Sequence, residues 1–87
     1  MRLNVEYEIK EIDGETSAVP KDIEESDFKG VIKLNETGEI LFRMLENDVT
    51  LDDLTDRILS EYEIDEDTAR DDVLNFVEKL EEAGIII

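Results

Sequence analysis

From Leu3 to Ile12 the chain alternates, with Leu3, Val5, Tyr7 and Ile9 falling on one face and Asn4, Glu6, Glu8 and Lys10 on the other. A period of two marks a half-buried strand. Asp13-Gly14 follows, a pair that tolerates positive φ in a tight hairpin, so Glu15 to Val19 is expected to fold back as a second strand. Pro20, which cannot donate to a ladder, ends it. Residues 21–29 are polar and read as a loop, and Gly30 to Leu34, GVIKL, reads as a short third strand.

The period then changes to that of a helix. Asn35 is placed as an N-cap, and Ile40, Leu41, Phe42, Met44 and Leu45 nearly encircle the helix behind it, which puts that helix in the middle of the core. Thr50 and Asp53 form a capping box with Asp in place of Glu, and Leu51, Leu54, Ile58 and Tyr62 form one stripe of a second helix. Asp65 opens a third, which runs to Ala83 and stops at Gly84. Three strands followed by three helices predict one α+β domain over residues 1–87, a winged-helix-like fold with a three-stranded antiparallel sheet.

The stretch from Glu25 to Glu36 admits a second reading. Counted as a twelve-residue calcium loop it has acids at the first and third positions, Gly30 at the sixth, Ile32 at the eighth and Glu36 at the twelfth. Its fifth position is Lys29, whose ammonium repels the ion, and Pro20 with the polar run after it supplies no entering helix. The strand-to-helix reading is therefore preferred, and no metal site is assigned.

Composition narrows the chemistry. An 87-residue chain buries only about 60% of its unfolded surface, so little room remains for an enclosed active site. Cysteine and histidine are both missing, which removes thiolate and imidazole chemistry and the usual zinc ligands. No nucleophile–base pair is available, and no acid pair can be assigned to a cleft, so an enzyme is not expected and no cofactor is called for. No apolar run, Ile85 to Ile87 included, approaches the roughly 20 residues that span a bilayer, and the expectation is a soluble, cytoplasmic protein.

The net charge is −17, unevenly spread. Residues 1–45 carry 11 acids and 6 bases (−5), and residues 46–87 carry 15 acids and 3 bases (−12). A winged-helix DNA-binding domain is the structural rival, yet its would-be recognition helix presents Glu66, Asp67, Asp71, Asp72 and Glu78 to a phosphate backbone, the wrong sign. An acidic carrier protein is disfavoured because Ser17, Ser26 and Ser60 fall in a strand, a loop and a late helical turn rather than at a helix start. A general protein-interaction domain stays open, with a basic partner segment suiting the acid-rich face.

The blocks LNETGEILFRMLEN, Leu34 to Asn47, and FVEKLEEAGII, Phe76 to Ile86, resemble the D protein of pyrroloquinoline quinone biosynthesis (PqqD) and its relatives. The most specific part is Leu34, Asn35, Glu36, Thr37 and Gly38, followed by Ile40, Leu41 and Leu45, and Phe42 stands where many relatives carry Trp. The resemblance implies a non-catalytic recognition domain that binds the leader of a ribosomally made precursor peptide. The leader pairs as an added strand on the third strand, beside the third helix, and is handed to a modifying enzyme, often a radical S-adenosylmethionine protein.

The residues supply candidates for that site. An edge strand at Gly30, Val31, Ile32, Lys33 and Leu34 has only Lys33 as protection, and it either accepts a peptide strand or is covered by the loop 21–29. On the third helix Ala69, Val73, Phe76, Leu80 and Ala83 read as the core stripe, while Leu74 and Val77, next to Arg70, widen it into a shoulder assigned as the groove wall. Arg70 is equally explained by a pair with Glu66 one turn away.

Overall fold

The computed structural model describes residues 1–22 and 30–87. Strands β1 (Tyr7–Ile12) and β2 (Glu15–Pro20) form a hairpin whose turn residues, Asp13 and Gly14, have φ of 53° and 80°. Both central residues therefore take the left-handed conformation, which matches the twist of the flanking strands. β3 (Ile32–Lys33) pairs antiparallel with β2, giving the order β1-β2-β3. Tyr7 and Ala18 are buried on the face that meets the helices, with Ile9 and Ile32 packed partly buried beside them.

The alternating run at the N-terminus divides between two partners. Arg2 and Ile87 exchange backbone hydrogen bonds of 3.0 and 2.9 Å, the Leu3 N–H donates to the Leu45 carbonyl at 2.9 Å, and that of Asn4 donates to Ile85 at 2.8 Å. The run joins the hairpin from Glu6, whose carbonyl accepts from the Lys21 N–H at 3.0 Å, with β1 itself starting at Tyr7. Leu3 instead bridges to Ile86. The expected strand from Leu3 is thus corrected: its first residues clamp the C-terminal tail.

Helices α1 (Glu36–Met44), α2 (Leu51–Glu61) and α3 (Glu66–Glu82) begin where their caps were expected. Asn35 accepts from the Gly38 N–H at 2.7 Å, Thr50 and Asp53 bond reciprocally at 3.1 and 2.9 Å, and Asp65 accepts from the Thr68 N–H at 2.8 Å. The Asn35 and Thr50 caps are each worth about 1 kcal/mol. At the far end of α3, Gly84 has φ 72° and the Ile85 N–H reaches back to the Leu80 carbonyl at 2.9 Å, which seats Ile85 in the core.

As expected, α1 is central. Leu41, Phe42 and Leu45 are almost fully enclosed, and Phe42 meets the Tyr7 ring edge-on, with centroids 5.3 Å apart and an interplanar angle of 87°. Burying Phe42 contributes about 2 to 3 kcal/mol, and the ring pair adds about 1 more. Residues 23–29 lie outside the described residues, and with them lie the first five calcium-template positions and most of the loop 21–29. Gly30 onward follows the strand-to-helix reading, with Glu36 as the first residue of α1.

The Asp65 cap makes the fold sensitive to acid. The Thr68 backbone N–H, and secondarily its side chain, hold the Asp65 carboxyl below its ordinary range. A depressed folded-state pKa contributes stability that is complete above the unfolded value of roughly 3.9 and is lost as pH falls through the folded value. Asp65→Asn keeps an oxygen for the cap but cannot titrate. Denaturant unfolding at neutral pH and near pH 3 should show the unmodified protein losing stability relative to Asp65→Asn; a constant difference would mean the carboxylate does not carry the dependence.

Candidate functional site

An antiparallel ladder alternates residues that bond to the neighbour with residues that point away from it. The Leu34 N–H donates to the Thr16 carbonyl at 2.9 Å, and the register pairs Ile32 with Ala18 and Lys33 with Ser17. Ile32 and Leu34 therefore bond to β2, while Lys33 turns its N–H and C=O to the opposite, outer side. No described strand pairs with that side. Next to it Val31 is 52% exposed, a large apolar residue left at an open edge. The alternative cover, the loop 21–29, falls mainly on the residues outside the description.

A groove of about 610 Å³ runs between this strand and α3. Ile32, Lys33 and Leu34 form one wall, Phe76, Lys79 and Leu80 form the other, and the hairpin turn from Gly14 to Thr16 closes one end. Leu34 and Leu80 are buried at its base, whereas Phe76 and Ile32 are only partly covered. Gly38 sets the distance between the walls. A Cβ there would lie 3.3 Å from the Phe76 ring and 3.0 Å from the Asn35 cap oxygen, so glycine lets the start of α1 seat directly under Phe76. Its φ is not unusual, and its role is close approach.

The sequence-predicted residues divide. The expected strand from Gly30 to Leu34 is shorter than read: β3 holds only Ile32 and Lys33, Leu34 follows with its N–H on the Thr16 carbonyl, and Gly30 and Val31 precede the strand and do not line the groove. Val77 does not lie on the groove: it is 2% exposed and belongs to the core with Ala69, Val73 and Leu80. Leu74 and Arg70 line a separate cleft of about 120 Å³ against Leu51, Asp52 and Thr55 of α2, on the other flank of α3. Arg70 pairs there with Glu66 at 3.1 Å and with Asp52 at 4.0 Å. The residues missed were Phe76 and Lys79.

Helical geometry explains the exchange. At about 100° per residue, Ala69, Leu80, Val73 and Val77 occupy the middle of the apolar arc, and Phe76 and Leu74 sit at its two edges, about 160° apart. Both edges are shoulders of equal standing until the packing of α2 is known. α2 lies on the Leu74 side, which leaves the Phe76 side to face the sheet.

The family model of PqqD, coenzyme PQQ synthesis protein D, matches residues 13–86. The chain belongs to the PqqD family. Among curated proteins none matches. Two solved structures share the fold of this PqqD-family chain. "TbiB1 in Complex with the TbiA(beta) Leader Peptide" superposes with a TM-score of 0.74 at 20% identity, covering 98% of this chain and 93% of the other. "Lasso peptide synthetase B1 complexed with the leader peptide" gives 0.71 at 23% identity, covering 97% and 93%. The described residues contain no cluster of three or more candidate metal ligands and no helix long and apolar enough to cross a membrane.

Substitution separates core from groove wall. Val77→Asp places an unpaired carboxylate in the core and should cost about 3 kcal/mol or more, most of the stability of so small a domain. Phe76→Gln, at the edge of the arc, should leave a cooperative thermal transition at a lower midpoint. Circular dichroism melts decide it: a folded Val77→Asp with an unfolded Phe76→Gln would reverse the assignment.

Proposed function

We propose that this domain binds the leader of a ribosomally made precursor peptide as an added strand on β3 and presents it to a modifying enzyme, catalysing nothing itself. The observation that carries the reading is the outward-facing backbone of Lys33 beside the groove to Phe76. An open edge supplies main-chain hydrogen bonds to any extended segment, and the pockets beside it choose among side chains. At roughly 3.3 Å per residue, Gly30 to Leu34 spans about 16 Å, so a segment of about five residues fills the ladder.

Family membership and the two leader-peptide complexes that share the fold support the same reading. A radical S-adenosylmethionine enzyme is the partner class proposed, acting in the cytoplasm where precursors are made. The groove walls Ile32, Lys33, Phe76 and Lys79 replace Arg70, Leu74 and Val77 as the proposed contacts. DNA binding is not favoured, because the exposed residues of α3 include Glu66, Asp67, Asp71, Asp72 and Glu78, which repel a phosphate backbone.

Nuclear magnetic resonance titration with the leader of the precursor encoded beside this protein tests the site. Amide signals of Val31, Ile32 and Lys33 should move together with the Phe76 ring, and those of Leu74 and Arg70 should stay. Movement confined to β1, the opposite edge of the sheet, would defeat the reading.

A further inference from the structure

Among the described residues two basic side chains, Arg2 and Lys79, make no ion pair, and of the two only Lys79 lines the groove. In an acidic protein a base normally finds a carboxylate, and Lys10, Lys21, Lys33, Arg43, Arg57 and Arg70 each have one within 4.0 Å. Lys79 has none among the described residues. Its neighbours in sequence offer two, Glu78 beside it and Glu82 three residues on, and neither is engaged. The side chain is exposed and borders the groove one residue-step outside Phe76 on the same edge of α3.

The charge around the groove is the reverse of the charge of the molecule. Its walls carry Lys33 and Lys79 against Glu15 alone, and Glu15 is held by Lys33 at 3.2 Å. Among the described lining residues one positive charge is thus without an ion-pair partner, in a chain of net charge −17. Charges farther away than a Debye length of about 8 Å at physiological salt are largely screened, while Glu78 and Glu82, beside Lys79 and one turn from it, weaken its pull on an acidic ligand without pairing with it. Inside the groove the nearest free charge is Lys79. An incoming strand that covered Lys79 with apolar surface would strip its water without return, and a basic side chain there would add repulsion.

Resting on the peptide-binding reading above, we propose that the groove selects segments carrying an acidic side chain, which pairs with Lys79, close to an apolar side chain that packs on Phe76 and Ile32. Lys79 is then the specificity-determining residue of the site. This reverses the expectation from overall charge, by which a basic segment suits the domain. The plain alternative is that Lys79, in the last turn of α3, only complements the negative end of the helix dipole. That role would affect stability and leave selectivity untouched.

The test uses random peptides of about ten residues displayed on phage and selected on the whole protein. Enriched peptides are then made in soluble form with the acidic position as Glu, Gln or Lys. The unmodified protein should bind the Glu form about two- to fivefold more tightly than the Gln form, and the Lys form more weakly still. Lys79→Gln should flatten the series and Lys79→Glu should invert it. Peptides that move the Ile32 and Lys33 amides yet bind alike in all three forms would overturn the acidic preference while leaving peptide addition intact. Selection of peptides that leave those amides unmoved, or of none, would overturn peptide addition and the preference with it.

Discussion

The groove depends on one missing side chain. β3 ends at Lys33, Leu34 dips into the core, Asn35 caps α1, and by Gly38 the chain must pass beneath α3. At that position a Cβ would press on the cap oxygen at 3.0 Å and on the Phe76 ring at 3.3 Å. Without it, strand, cap and ring meet at a single point, and α3 lies at a fixed distance from the strand edge. A methyl group there would push Phe76 outward or pull Asn35 off the Gly38 N–H. Either change alters the width of the space between β3 and α3, so the cap that starts α1 also sets the dimensions of the site.

Much of this architecture was legible because it is local. The Asp13-Gly14 turn, the Asn35, Thr50 and Asp65 caps and the Gly84 stop are each decided by a few residues whose conformational needs are strong. What was not legible depends on partners distant in the chain. The alternation from Leu3 to Ile12 tells which side chains share a face, but not that the first residues pair with Ile85 to Ile87 and the later ones with β2. The apolar arc of α3 likewise has two edges, and only the seat of α2 decides that Leu74 faces a helix and Phe76 faces the sheet. Val77, central in that arc, was assigned to a shoulder because the arc was centred one residue-step too far toward Phe76.

The acidic surface has a structural rationale distinct from binding. Glu36 and Glu39 stand in the first turn of α1, Asp52 and Asp53 in that of α2, and Glu66 and Asp67 in that of α3 behind the Asp65 cap. Negative charge there opposes the positive end of each helix, a favourable term of about 0.3 to 1 kcal/mol per group at low salt. Three arginines make exposed pairs one turn away, Arg43 with Glu39, Arg57 with Glu61 and Arg70 with Glu66, each worth little individually. They limit self-repulsion without creating any basic face.

A domain of this size that binds an extended segment, as proposed, has to separate affinity from choice. Backbone bonds from Lys33 are available to almost any extended segment, so they cannot discriminate, and a groove floored by Leu34 and Leu80 accepts most apolar side chains. Discrimination then falls to groups whose satisfaction depends on what arrives. In this groove Glu15 and Lys33 already satisfy each other, and the Asn35 side-chain oxygen is taken by its cap. Lys79 remains, exposed at the rim and without a carboxylate of its own among the described residues, and its position beside Phe76 couples the charge of the guest to its apolar anchor. Selectivity is thereby placed in one side chain that the fold does not need, where it can change without disturbing the edge that supplies the binding energy.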